Sequence, residues 1–316
     1  MKAPGVRAVG ASASVATPRA ADGLASSSVA RRSASVLADY IELTKPRLNL
    51  LVVATSAGGF YLASPGAPAP LPMVAASVGT ALVAGGAAVL NQVLERDTDA
   101  LMHRTQSRPL PAGRVASDDA RAYGLALAAA GLALLGAATN VRAALLALAT
   151  IGIYLFLYTP MKRCSPLSTL IGAVPGALPP LIGWTAGRGD ASPGGWVLFA
   201  IVFFWQIPHL MAIEWMFRDD YRRAGFPMLS VIEPDGRRAG RAAVVFAAAL
   251  VPTSLAPSFV GIAGPAYAWL AAVLGVGLLG LAARFGSTRS DASARLLFVG
   301  SITYLPLIWA VMMIDH

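Results

Sequence analysis

Asn91, Glu95 and Asp99 stand at spacings of four and eight residues, directly after the uncharged run ALVAGGAAVL. At about 100° per residue these three positions share one helix face, and Asp97 falls on the opposite side. One amide and two carboxylates on one face make a cluster of hard oxygen donors. Such donors suit Mg²⁺, which keeps several waters and bridges one or two carboxylates to the phosphates of a substrate. The same stretch, residues 91–115, carries four arginines beside its three acids. Lys45, Arg47, Arg104, Arg108, Lys162 and Arg163 are the candidates for holding the remaining charge of a diphosphate, the arginines through forked hydrogen bonds. A solvated loop whose charges only fix orientation would explain the arginines. It would leave the acids unexplained, because Asp and Glu contribute little to orientation.

A second concentration of chemistry lies in WQIPHLMAIEWMFRDDYRRAGFPMLSV, residues 205–231. On one continuous helix Gln206, His209 and Asp220 lie near a common face, with His209 and Asp220 roughly 16 Å apart along the axis. That spacing predicts a histidine deep in a cavity and a carboxylate at its rim, with Asp220 joining Asn91, Glu95 and Asp99 as a metal ligand. The other reading of His209 is a core imidazole bonded to a neighbouring helix, with Pro208 only kinking the chain. An ionisable residue within an apolar span is a functional candidate by default.

The elements that must position these residues follow from composition. Of 316 residues 56% are hydrophobic and 13% charged, and the mean hydropathy is +0.62, which points to a bilayer as solvent. The single cysteine, Cys164, excludes an internal disulfide and a cysteine metal centre, so any metal must sit on oxygen. Apolar runs near 48–64, 71–94, 120–138, 141–159, 166–186, 194–216, 242–262, 264–284 and 294–314 approach the roughly 20 helical residues needed to cross a hydrocarbon core. Lipid cannot satisfy open sheet edges, and the runs lack the alternation of barrel strands. The expected fold is all-α: a polytopic membrane protein of about nine transmembrane helices around a central cavity open to the cytoplasmic side.

Basic residues divide unequally between the two sides of such a topology. The N-terminal side and the loops that follow even-numbered spans hold eighteen, the N-terminal tail adds five, and the opposite side holds only Arg142 and Arg188. The positive-inside rule then predicts a cytoplasmic N-terminus and a C-terminus on the other side. Anionic lipid accounts for the net charge of +9 without nucleic acid. Residues 1–36 are Ala/Ser-rich and basic and have no apolar core, so they are not a secretory signal. They are expected to form a disordered tail preceding a domain over 37–316. A transit peptide has the same composition, and would place the chain in the mitochondrial inner membrane instead of a cell's inner (plasma) membrane.

Both acidic segments follow spans of equal parity, so their ends meet on one side. The pair resembles the two aspartate-rich motifs of the intramembrane aromatic prenyltransferases, the UbiA superfamily. The resemblance implies nine helices, Mg²⁺ as cofactor and an isoprenyl diphosphate as donor. DYIELTKPRLNLLV, NQVLERDTDALMHRTQSRPLPAGRV, GALPPLIGW, FFWQIPHLMA and DDYRRAGFPMLSV, in this order between 39 and 231, are similar to the members that farnesylate haem. That narrower resemblance implies farnesyl diphosphate and protoheme IX as substrates, with haem A synthase or oxidase assembly factors as implied partners. His209, Gln206 and Trp205 become haem-contact candidates, and Trp205, Phe204 and Tyr158 candidates for facing a carbocation. The pattern departs from the superfamily's Asn-Asp-x-x-Asp-x-x-x-Asp at Gln92 and Glu95. Asp219 and Asp220 are adjacent, and Phe217 and Tyr221 occupy the places of the usual spaced pair. A quinone-precursor acceptor would use the same machinery. A transporter would place its charges near mid-membrane, whereas here they gather at one end.

Overall fold

Each of the nine apolar runs folds as a helix, because in lipid only intra-segment hydrogen bonds satisfy the backbone. The computed structural model describes residues 35–316. Residues 35–43 are helical (α1). The expected disordered tail, 1–36, lies outside the described residues except for its last two, which are part of α1. Among the described residues nine helices reach 18 residues or more: α2 (Pro46–Ala63), α3 (Pro70–Asp99), α4 (Ser117–Ala138), α5 (Val141–Met161), α6 (Ser168–Arg188), α7 (Pro193–Met216), α10 (Arg237–Phe259), α11 (Pro265–Thr288) and α12 (Asp291–Ile314). Two short helices, α8 (Arg218–Arg223) and α9 (Leu229–Ile232), lie between α7 and α10. Eight of the nine are long and apolar enough to cross a membrane. The exception is α2, at the first expected span, which opens on Arg47 and Asn49 and is rich in glycine and hydroxyl residues.

Consecutive long helices pack side by side, and α12 returns to touch α2, which closes a ring. Further contacts, of α2 with α6 and of α7 with α12, join helices that are not consecutive. The α2–α6 crossing is backbone on backbone. A Cβ on Gly183 would lie 1.8 Å from the Ser56 carbonyl oxygen, and one on Gly59 would lie 2.2 Å from that of Pro180. Small residues at helix crossings are how bundles gain van der Waals contact without a hydrophobic drive. Gly183→Ala is therefore expected to lower stability in detergent by about 1–3 kcal/mol through forced separation of these helices. A melting curve unchanged from the parent protein would contradict that contact.

Two breaks in helical regularity shape the charged end of the bundle. The last third of α5, Ile153–Tyr158, is a π-helix, a form that recurs at functional sites. And α7 stops at Met216: Phe217 leaves the helix with φ −111° and ψ 21°, and α8 starts afresh at Arg218. The expectation that His209 and Asp220 share one face of a continuous helix is corrected by this break.

Candidate active site

At the C-terminal end of α3, Asn91, Glu95 and Asp99 are 3%, 4% and 1% exposed. Their partners arrive from other elements. Lys162, just past the end of α5, reaches both carboxylate oxygens of Glu95, at 3.1 and 3.0 Å. Arg108, in the loop after α3, donates to Asp99 Oδ2 at 2.8 Å. Asn91 Nδ2 donates to Thr159 Oγ1 at 3.0 Å, and Asn91 Oδ1 accepts from Tyr154 at 3.2 Å and from Lys45 Nζ at 3.5 Å. Lys45 precedes α2 in a left-handed conformation, φ 51°. Burial first, then Arg108 and Lys162, lower its pKa to about 8 against the opposing effect of Glu95 and Asp99. All five groups thus lie in one another's field. Tyr154 and Tyr158, both on the π turn, stack at 5.4 Å and 9° beside them.

Asp220 sits at the edge of this group. Its carboxylate accepts the backbone N–H groups of His103 (3.2 Å) and Arg104 (3.3 Å) and pairs with Arg223. Burial raises its pKa, but the Arg223 hydrogen bond and the two N–H groups outweigh burial and hold it below the usual carboxylate value. Asp220 thereby fastens the loop after α3 to the segment after α7. Phe217 and Tyr221, at the places of the usual second acid pair, carry the Arg104 guanidinium over their rings at 5.1 and 5.7 Å. Met102, Tyr221, Phe226 and Met228 form the apolar seam beneath. Lys162 lies 4.5 Å over the Phe226 ring. The Gln92 departure also has a use: its amide donates to the Leu43 carbonyl at 2.6 Å and so anchors α1 on α3.

The profile of the UbiA prenyltransferase family matches residues 51–309. The chain belongs to this family. It is 48% identical over 280 residues to a protoheme IX farnesyltransferase of Opitutus terrae, covering 88% of this chain and 94% of that one. It is 42% identical over 287 residues to the protoheme IX farnesyltransferase of Solibacter usitatus, covering 88% and 98%. Among solved structures, a digeranylgeranylglyceryl phosphate synthase superposes with a TM-score of 0.75 at 17% identity, over 88% of this chain and 98% of its own. A UbiA homologue of Archaeoglobus fulgidus bound to GPP and Mg²⁺ superposes at 0.63 and 19%, over 87% and 99%. These UbiA neighbours share the all-helical fold.

Other sequence-nominated residues of this UbiA chain fall outside the polar group. Arg47 is exposed at the start of α2, and Arg163, also exposed, donates to the Leu94 carbonyl at 3.1 Å. The His209 ring is stacked between Trp205 and Phe298, each at 5.1 Å, and its Nδ1 meets Ser301 Oγ at 2.8 Å. Trp205 Nε1 donates to the Ser301 carbonyl. Both residues thus face α12, while Gln206 faces α6 and donates to the Ala173 carbonyl. Phe204 packs with Phe203 and Phe246. Tyr154, Thr159 and Glu214 went unnominated. Glu214 had a signal: it is the only charged residue between Pro193 and Met216.

The donor set can be tested for Mg²⁺. Among the described residues no group of three or more His, Cys, Asp or Glu side chains is placed to hold a metal. Asn91, Glu95 and Asp99 nevertheless fit a hard cation in part: they offer oxygen only, and the cations Lys162 and Arg108 now neutralise the two acids. Such a site is completed by substrate phosphate oxygens and water, as Mg²⁺ sites on phosphate substrates usually are.

Proposed function

We propose that the chain transfers the farnesyl group of farnesyl diphosphate to a vinyl group of protoheme IX, giving haem O for haem-copper oxidases. The observation that carries the chemistry is the buried Asn91–Glu95–Asp99 face with Lys45, Arg108 and Lys162 around it. The acceptor rests on the two named relatives. Lys162 and Arg108, released from Glu95 and Asp99, turn to the phosphate oxygens together with Lys45. Mg²⁺ when bound, held by Asn91, Glu95 and Asp99, supplies further neutralisation of the leaving diphosphate. Asp220, fastened to the loop after α3 by its two backbone N–H contacts, keeps Arg104 over the same rim, and its carboxylate has lone pairs left to offer the metal. With its charge so compensated, the diphosphate departs with the C–O bonding pair and leaves an allylic cation. The stacked Tyr154 and Tyr158 rings present π faces towards that cation, and apolar walls keep water from it. His209, stacked between Trp205 and Phe298 with its Nδ1 on Ser301, would meet haem through Nε2, which lies in the ring plane.

The mass spectrum of haem extracted from membranes with and without the protein tests this function. Haem O is expected only with the protein and a farnesyl diphosphate supply. A hydroxybenzoate or naphthoate prenylated while haem stays unchanged would leave the family and remove the acceptor. The proposed setting is a bacterial plasma membrane, with nine spans, a cytoplasmic N-terminus and the diphosphate site on the cytoplasmic side; haem A synthase or oxidase assembly factors would receive the product. A reporter after His316 is expected on the outer side and one within 233–236 on the inner side. Signals from one and the same side would overturn the nine-span topology.

A further inference from the structure

Five acids are buried among the described residues: Asp39, Glu95, Asp99, Glu214 and Asp220. Four of them pair with a cation, respectively Arg114, Lys162, Arg108 and Arg223 for Asp39, Glu95, Asp99 and Asp220. Glu214 alone has none. It is 4% exposed on the last turn of α7, and its Oε1 accepts the Thr169 hydroxyl at 2.5 Å. Among the described residues its Oε2 accepts no hydrogen bond, although the Leu229 N–H at the start of α9 faces the carboxylate. A carboxylate withdrawn from water without a counter-charge costs several kcal/mol, so folding alone does not favour it. Tyr158 stands wedged on α6 one turn on from Thr169, where a Cβ on Gly172 would come within 2.6 Å of the ring, and Lys162, the partner of Glu95, lies 5.9 Å over that ring. One aromatic ring therefore separates the unpaired acid from the diphosphate-binding face.

On the farnesyl-transfer reading above, the reaction has one step that none of the paired groups serves. The vinyl π pair forms the new C–C bond to C1 of the farnesyl cation that diphosphate has left behind, and the adjacent vinyl carbon becomes cationic. Water oxygen adds to that carbon, and one proton must depart to leave the hydroxyl. Lys45, Arg108 and Lys162 are cations and poor acceptors, and Glu95 and Asp99 are engaged at the diphosphate. We propose that Glu214, through its free Oε2, takes the proton from this water. The Thr169 hydroxyl holds Oε1, which leaves Oε2 as the oxygen that can accept a proton.

Without the base, the haem-side cation loses a proton from the neighbouring CH₂ instead, giving a farnesylated product lighter by one water. Purified Glu214→Gln protein is therefore expected to release diphosphate at close to the parent rate. The hydroxylated share of its haem product should fall at least tenfold, with the dehydrated product in its place. Glu214→Asp keeps the charge and draws the base back, and is expected to lower the hydroxylated share severalfold with diphosphate release unchanged; it serves if the glutamine protein does not fold. A hydroxylated share equal to that of the parent protein in either variant overturns the role of Glu214. A parent protein that makes no haem product at all overturns the farnesyl-transfer reading instead.

Discussion

Asp99→Asn is expected to reduce farnesyl transfer by at least 10²–10³-fold, the scale of losing one preorganised electrostatic contact in a transition state. Asparagine keeps the shape of Asp99 and an oxygen for Arg108, so the loop after α3 should stay in place. What is lost is one of two carboxylates able to hold Mg²⁺ against a diphosphate. The Mg²⁺ concentration for half-maximal activity should rise together with the fall in rate. Asp97→Asn is the matched control: that side chain is 83% exposed and pairs only with Arg96, and surface pairs contribute about 0–1 kcal/mol. Wild-type turnover by the Asp99 variant at limiting Mg²⁺ would sink the assignment of this face.

The largest loss of stability is expected at Lys162. Among the described residues its ammonium is the only counter-charge within hydrogen-bond reach of Glu95, and both side chains are at most 10% exposed. Lys162→Met leaves a buried carboxylate unpaired, at a cost of about 3–5 kcal/mol. Removing both charges, in Lys162→Met with Glu95→Gln, should return most of that stability while activity stays lost. A double-mutant cycle on melting in detergent separates the two contributions. Additive effects of the two substitutions would mean that the pair does not form, and activity in the double variant would mean that neither group handles the diphosphate.

The sequence exposes the Asn91–Glu95–Asp99 face because a helix repeats with fixed angle, and α3 continues unbroken to Asp99 as that spacing requires. Span positions were legible for the same reason that lipid allows them only one backbone solution. The cations closing the face were legible as charges but not as partners. Nothing in the order of residues says that Lys162 selects Glu95 and Arg108 selects Asp99, because those contacts arise when α5 and the loop after α3 fold back on α3. Phase extrapolation failed at Phe217, where the helix stops although Trp215 to Tyr221 carries no proline or glycine. The common face of His209 and Asp220 is lost for that reason, and the stack of His209 with Phe298 crosses 89 positions of sequence, beyond any local pattern. Glu214 could have been found by its isolation in an apolar span, but its missing partner is a tertiary fact.

The π turn in α5 sets an angle as well as a shape. The Thr159 N–H bonds back five residues to the Tyr154 carbonyl, not four, so one residue more is wound into that turn than an α-helix would hold. Deleting one residue from Ile153–Tyr158 would let the turn return to ordinary winding and leave its two flanks nearly in phase, because the additional residue is taken up within the turn. The same deletion in the regular first half of α5 would instead swing everything after it by about 100° about the axis. Thr159 and Lys162 would then leave Asn91 and Glu95 with no change in their own identity. The π turn is thus a slack coil in a screw thread: it can give up a residue while the groups beyond it keep their places.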